Sequence, residues 1–523
     1  MNIKELMNQA QTMFPDAIEG VAHDGRDGAE IQCRREALPG MCDWLFNQMK
    51  FHFAGLIVDE HPDRWHVFYL FTGPETLLVK TVATLENKIF PSISEAVHAA
   101  DWHEREAEDL YGLTFEGHPL LGDFILHDDA WQEGVAPMCK GFNPEAALAN
   151  RVPNPEWRPR RILTAPGAFI MPVGPVFSGE AESVHFQLET IGEEVIRAFP
   201  RLFFKYRGVE KLAEGRNIDA TLLLAERFAG NTAFAHALAF CLAVEQLADM
   251  EAPPRARILR IFFAELERLR HHLGVIAGIC NSTGLVVAAS QVAILEEEAL
   301  RIAGTLSGHR YLFGLTIPGG LSRDIDDQAC REAIIRVRDI IRRMDEIKNT
   351  LINTSSFLDR LEEVGMVTRD QARGFGLAGP VARASDYCND LRKTQPYSGY
   401  ASFDFEAPCE TEGDGYARLR VFFAEAGQSA HIMEQAIAAL PRGAVSAPCA
   451  AVAGQALAGV ETPRGAAWHW LRLDNHGTLA RYHLLTPSFP NWHGFHLAVE
   501  HFAFQDFPII LATFGLSVAE SDR

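Results

Sequence analysis

Pro137, Pro144, Pro153, Pro155, Pro159 and Pro166 interrupt one polar stretch that also carries Trp131, Gly134 and Gly141. Each proline locks its own φ and removes a backbone donor, so neither a long helix nor a central strand runs through such a segment. In a chain of 523 residues this divides the fold into units on either side. The spacing predicts a unit over 1–130, a linker over 131–165 and a larger unit over 166–523, with the junction near residue 155.

The first unit reads as α/β. Residues 53–59 and 66–71 are strand-like runs with turn residues between them, and 86–101 has helical patterning. Beyond the linker, 169–176 and 185–190 look extended, and then the period changes. Leu259, Phe262, Phe263, Leu266, Leu269, Leu273 and Ile276 repeat at helical spacing, which predicts a helix over 257–280 entered at Pro253-Pro254. Further helices are expected over 221–248, 291–307 and 330–361, and strands over 468–473 and 481–485. The expected class is α+β: a small N-terminal α/β unit, then a large unit with a helical core and flanking β elements.

Acidic residues outnumber basic ones 69 to 48, a net charge of −21, so a duplex or an anionic bilayer surface would repel the chain and nucleic-acid binding is not expected. The nine cysteines include no CxxC pair, and their odd number in a long chain predicts free thiols in a reducing compartment. The N-terminal residues lack the apolar run of a secretory signal, and no 18-residue apolar stretch occurs, so any membrane contact is expected to be peripheral. No P-loop, no GxGxxG opening a helix and no HExxH are present. A nucleotide site on this chain is therefore not expected.

Two segments carry a resemblance. Glu104-Arg-Glu-Ala-Glu-Asp-Leu-Tyr-Gly-Leu-Thr-Phe-Glu-Gly-His-Pro119 is, on spacing alone, a charged helix end running into a turn. Its order also resembles the 30-kDa-type subunit of respiratory complex I, a domain that is fused to the large subunit in formate-hydrogenlyase-type hydrogenases. The chain departs from that pattern at Gly122-Asp123-Phe124, where the family has a basic residue. From about residue 170 onward the motifs resemble the 49-kDa-type subunit of complex I and the large subunit of membrane-bound nickel–iron hydrogenases. They include Tyr206-Arg-Gly-Val-Glu210, Phe234-Ala-His236, Glu265-Leu-Glu-Arg-Leu-Arg-His-His272, Pro318-Gly-Gly320, Asp390-Leu-Arg392, Pro463-Arg-Gly465 and Asp522-Arg523, in one order. The resemblance implies a nickel–iron hydrogenase large-subunit-like fold after residue 166.

It also implies where a metal would sit. A nickel–iron centre takes four thiolates, and the matching positions here are Ala229, Thr232, Ser517 and Glu520. Alanine ligates nothing, and the others offer only hard oxygen. In complex I the same place is a quinone head-group pocket bracketed by a tyrosine and a loop histidine. Those positions correspond here to Gly230 and Phe177. Phe177, Ala229, Gly230, Thr232, Ser517 and Glu520 are therefore the residues expected to line an acceptor cavity.

For proton movement the resemblance points to Glu210, with a helix-end salt bridge to Lys211 or Arg207 as the alternative. His236 is either a satisfied core histidine or a relay. His185 is the nearest loop imidazole, with a structural role equally open. Arg207, Arg255, Arg260 and Arg268 are candidates for the face beside a neighbouring iron–sulfur cluster, or else a solvated arginine-rich surface. His271 and His272, about 100° apart on a helix, have poor geometry for a shared metal and read as structural.

The resemblance thus implies a peripheral-arm subunit of a membrane-bound, energy-converting oxidoreductase complex, not catalytic alone. No cofactor or nickel is expected on this chain. A 4Fe-4S cluster would sit on an iron–sulfur small subunit, with a quinone as candidate acceptor. The expected partners also include a ferredoxin-like subunit and antiporter-like membrane-arm subunits, with the chain on the cytoplasmic face of the inner membrane. The alternatives are a non-redox scaffold with a degenerate cavity and, least favoured, an active nickel–iron hydrogenase.

Overall fold

The computed structural model describes residues 3–523 except 25–27, 133, 153, 159–161 and 178–181. Pro153, Pro159 and the tip of the 174–185 loop thus lie outside the described residues.

Five strands form the first sheet in the order Ile18–Asp24, Gly28–Cys33, Thr76–Thr84, Arg64–Thr72, His52–Glu60, antiparallel except for one central parallel pair. Side-chain alternation in Arg64–Thr72 explains how this sheet is held. Trp65, Val67, Tyr69 and Phe71 point into the core of the first unit, while Phe68 and Leu70 point the other way, onto Trp468 and Trp470. The second face of the sheet is thereby covered by a three-stranded antiparallel sheet, Gly454–Thr462, Gly465–Leu473 and Leu479–Leu485. The segments on either side of the expected linker share a buried interface, and among the described residues of 131–165 there is one short helix, Pro144–Ala149.

An ion pair crosses that interface. Asp59, fully buried, accepts Nε and Nη2 of Arg472 at 2.7 and 2.9 Å, and His61 stands 2.8 Å away. Burial alone would raise the Asp59 carboxyl, but His61, Arg472 and Arg481 hold it well below the usual carboxylate range. Asp59→Asn is expected to lower stability by about 2–3 kcal/mol, less than breaking a fully buried pair, because Arg472 keeps some contact with water. Denaturation midpoints of the two proteins check this; coincident curves would mean that the pair holds nothing together.

The large unit is built on the helix Pro254–Ser282, which packs against Gly415–Ala438, Val286–Ser307 and Phe507–Phe514, with Asp327–Leu351 outside them. Every apolar residue of the expected stripe, Leu259 to Ile276, is buried. So is the opposite face, and Arg260, Glu265 and Arg268 are fully so. A four-stranded antiparallel sheet, Phe502–Ala503, Glu194–Arg201, His185–Ile191 and Ala168–Val173, closes one side.

Several elements differ from expectation. Residues 86–101 are not a helix: Ile89–Pro91 is a short strand paired with Thr114–Glu116, and the helix starts at Asp101. Pro91 has no donor to extend a helix through this stretch. The helix Asp101–Tyr111 ends at Gly112, whose φ of 65° supplies the left-handed cap. The segment 330–361 breaks after Leu351 and restarts as Ser355–Leu358. Cys388 and Cys409 are joined as a disulfide, against the all-thiol expectation. Among the described residues no single helix is long and apolar enough to cross a membrane.

Candidate functional site

The expected helix 221–248 is two helices, Ile218–Arg227 and Ala233–Leu247, bent by 103° at the segment between them. Ala229 and Thr232 leave the helical region, with φ/ψ of −129°/77° and −129°/33°. Glu267, from the central helix, accepts the N–H groups of Phe234 and Ala235 at 2.9 and 3.0 Å and so caps the second helix. The break is thus fixed, and it carries residues 229–232 to the floor of a cleft.

The second segment of that floor starts a short helix, Val518–Asp522, capped by Ser517 through a 3.2 Å bond from the Glu520 N–H. Glu182, from the 174–185 loop, also accepts the N–H of Val518 at 2.5 Å and that of Ala519 at 3.0 Å. Arg207 braces both segments by donating to the carbonyls of Phe228 and Ala519, at 2.9 and 2.8 Å.

Glu520 fills the space between the two segments. Its Oε1 accepts His236 Nε2 at 3.0 Å and the Thr232 hydroxyl at 3.4 Å, and its Oε2 accepts the Ser488 hydroxyl. All four residues are fully buried. Burial raises the Glu520 carboxyl, but His236, Arg464 and Ser488 outweigh it and the net displacement is downward, so Glu520 is a carboxylate. This fixes the first proton position behind it. His236 Nε2 carries a hydrogen toward Glu520, and its Nδ1 lies 3.1 Å from His469 Nε2. His469 Nδ1 in turn lies 2.7 Å from the Tyr482 hydroxyl. Tyr482, His469, His236 and Glu520 form one connected chain of groups that donate and accept protons.

Above this floor is a cleft of about 600 Å³. Phe177 lines it, but Ala229, Thr232, Ser517 and Glu520 lie buried behind its wall. Their neighbours Asn231 and Val518 face the cleft instead, together with Arg270, His271, Glu296 and Arg464. Gly230 is turned toward the Phe313 ring, 3.6 Å from where a Cβ would stand. Arg464 is held by bonds from Nε to Gly515 O at 2.8 Å and from Nη1 to Asn231 Oδ1 at 3.3 Å. Arg270 donates to the Asn231 carbonyl and lies 3.9 Å from Glu296.

The three expected proton carriers are not one cluster. His236 belongs to the chain from Tyr482 to Glu520. Glu210 accepts the Leu484 N–H at 2.6 Å, lies 3.5 Å from Arg523, and has an Oε2 without a hydrogen-bond partner among the described residues. Burial pushes its carboxyl up to about 8. The alternative salt bridge to Lys211 is not formed: Lys211 pairs with Glu214 at 3.0 Å. His185 is on the outer sheet in register with Arg201, with its ring against Phe204. Of the four arginines, only Arg207 is exposed. Arg260 pairs with Glu245 at 2.6 Å and Arg268 with Glu265 at 3.2 Å, while Arg255 reaches Asp324 and Asp327 at 2.8 Å each. A solvated arginine surface is therefore the wrong picture for the central helix.

Of the cleft residues, His271 was read from sequence as structural, and Arg464, Arg270 and Asn231 were not singled out. Arg464 is inside the motif Pro463-Arg-Gly465, and Asn231 lies between two positions that were named. Arg270 is inside the motif Glu265–His272.

Two family models match the chain: respiratory-chain NADH dehydrogenase, 49 Kd subunit, over residues 284–453 and 445–523, and the 30 Kd subunit over 31–147. A D-type NADH-quinone oxidoreductase subunit of Solibacter usitatus is 30% identical over 358 residues, 97% of that protein and 68% of this chain. The chain belongs to the 49-kDa-subunit family of complex I. A domain of the 30-kDa type is fused ahead of it. The C/D-type NADH-quinone oxidoreductase subunit of Bdellovibrio bacteriovorus is 29% identical over 79% of this chain and 75% of its own length. Hydrogenase-4 component G of Escherichia coli is 28% identical over 100% of this chain and 94% of its own length.

A nickel–iron centre does not fit the residues present. Its four positions hold no thiol, and Glu520, Thr232 and His236 occupy the space with their own hydrogen bonds. Among the described residues the one His/Cys/Asp/Glu group close enough to hold an ion is Asp386, Cys388 and Cys409, whose sulfurs are joined to each other. Elemental analysis of the purified protein is expected to find no nickel; one nickel per chain would overturn the assignment of residues 229, 232, 517 and 520 to ligand positions.

Proposed function

We propose that this chain is the acceptor-site subunit of a membrane-attached, energy-converting oxidoreductase complex, and that its cleft receives a quinone-like molecule. The observation that carries this reading is the cleft itself. It is large enough for a ring head group, is walled by Phe177 and Trp492, and presents the guanidinium groups of Arg270 and Arg464 beside the floor that a metal would need. An iron–sulfur small subunit would supply electrons from a 4Fe-4S cluster that this chain does not hold. A ferredoxin-like subunit and antiporter-like membrane subunits would complete the complex, with this chain peripheral on the cytoplasmic face.

Reducing a quinone to its hydroquinone takes two electrons and two protons. Fixed guanidinium donors stabilise the negative charge that develops on the carbonyl oxygens as electrons arrive. Arg464 suits this task because Gly515 O and Asn231 Oδ1 hold it in place before any ligand enters. Protons come to the floor along Tyr482, His469, His236 and Glu520, with Glu210 as a buried carboxyl that keeps its proton near neutral pH.

The test is purification of the tagged chain from native membranes in mild detergent, followed by electron transfer from the reduced complex to decylubiquinone. The expected result is co-purification of iron–sulfur and membrane subunits, with transfer that falls roughly 100-fold in Arg464→Met. A chain that comes out alone would end the reading. The Glu520–Thr232–His236 plug favours a second reading, a scaffold that couples conformational change without redox chemistry. Intact assembly with no transfer to any quinone would select it.

A further inference from the structure

His271 and His272 are neighbours on the central helix, and the structure gives them different surroundings. His272 is fully buried, with Nε2 2.9 Å from Glu425 Oε2. Its Nδ1 lies 3.3 Å from Nδ1 of His271. His271 lines the cleft and is 4% exposed, and its Nε2, buried just beneath the cleft surface, has no hydrogen-bond partner among the described residues.

The proton positions follow from the far end of this chain. Glu425 also accepts Arg383 Nε and Nη2, at 2.8 and 2.6 Å, and is a carboxylate, so it has no hydrogen to give. The hydrogen between it and His272 therefore belongs to Nε2 of the imidazole. Burial keeps both imidazoles neutral, with Arg464, Arg270 and Arg268 adding to this for His271. A neutral His272 with hydrogen on Nε2 has a bare Nδ1, so the hydrogen shared with His271 belongs to Nδ1 of His271. Neutral His271 then has a bare Nε2.

We propose that His271 Nε2 is a built-in hydrogen-bond acceptor in the cleft wall, positioned through His272 and Glu425 to take the hydroxyl of a phenolic or hydroquinone ligand. This rests on the acceptor-site reading and deepens it by naming the contact that tells the hydroquinone form from molecules without a hydroxyl. The rest of the cleft supplies the opposite chemistry. Arg270 and Arg464 donate to oxygen lone pairs, which any oxygenated ring offers and which carry no information about its O–H groups. A bare nitrogen among cations is satisfied only by a donor, so the ligand must bring one.

The test uses the whole complex, reduced with dithionite so that no ligand is oxidised. Binding of decylubiquinol is compared by calorimetry with binding of its dimethyl ether, which keeps the oxygens and loses both hydroxyls. The native complex is expected to prefer the hydroquinone by roughly 10–100-fold. His271→Phe, similar in shape without the nitrogen, is expected to erase that preference while leaving the ether affinity unchanged. His271→Gln, whose amide oxygen accepts, is expected to keep most of it. Equal affinity of the native complex for both molecules would overturn the inference and leave the acceptor-site reading standing. Equal loss of both in His271→Phe would also overturn it, by showing a purely structural histidine. Binding of neither molecule by the native complex would remove the acceptor-site reading and this inference together.

Discussion

Arg383→Ala is expected to cost about 3–5 kcal/mol of stability, the scale for removing one partner of a fully buried ion network. Arg383 is fully buried, and its guanidinium donates to Glu425, to Glu461 at 2.9 Å and to the Asn389 carbonyl at 2.8 Å. Arg392 binds Asp390 at 2.6 Å and Glu265 at 3.0 Å, and Arg268 joins Glu265. The carboxylates Glu265, Asp390, Glu425 and Glu461 outnumber the guanidinium groups of Arg268, Arg383 and Arg392. Burial and the neighbouring Asp390 push the Glu461 carboxyl upward, against the pull of Arg383, Arg268 and Arg392. Without Arg383 the network would have to take up a proton or leave a bare carboxylate in the core. Lysine should not rescue the variant, because one ammonium cannot reach Glu425, Glu461 and Asn389 with a fixed planar fork. Urea denaturation gives the answer, and a loss under about 1 kcal/mol would show that water or rearrangement replaces the guanidinium.

Glu210→Gln is expected to change how stability depends on pH. Burial lifts the Glu210 carboxyl to about 8, whereas an unfolded glutamate titrates near 4.3. Between these values the folded chain keeps a proton that the unfolded chain has released. The contribution of this raised group is therefore fully present below the unfolded pKa and is lost as pH rises through the folded one. Glutamine imitates the protonated form at every pH. The variant should match the native protein near about pH 4 and exceed it by a few kcal/mol near about pH 9. Burial also raises Glu104, Glu267 and Asp522 to about 7 and Asp109 to about 6, but these act in both proteins and cancel in the difference. Melting curves at several pH values decide it. Parallel curves would mean that Glu210 is ionised in the folded chain, and its place as a proton-holding carboxyl would go with them.

The core stripe of the central helix was legible because one helical face with apolar residues at three- and four-residue spacing needs no tertiary information. The opposite face was not. Arg268 and Glu265 look the same in a sequence whether they meet water or Glu461 O and Arg392, which come from more than 100 residues away. Residues 86–101 misled for a local reason: the apolar pattern was helical, but Pro91 and pairing with Thr114–Glu116 favour a strand. The site shows the same division. Its four missing thiols were plain from the sequence, and so was the position of Glu520. That Glu520 reaches His236 and Thr232 depends on the bend at 229–232. That His271 meets a cleft depends on where the central helix passes beneath it.

The plug formed by Glu520, Thr232 and His236 also acts as a ratchet on sequence change. A single step from Glu520 back to cysteine would remove the carboxylate that His236, Thr232 and Ser488 all address, and would restore one ligand where a metal needs four. Such an intermediate would be less stable than the present chain and no nearer to holding nickel. Thr232 to cysteine would likewise lose its bond to Glu520, so at these two positions the present side chains support one another against the change.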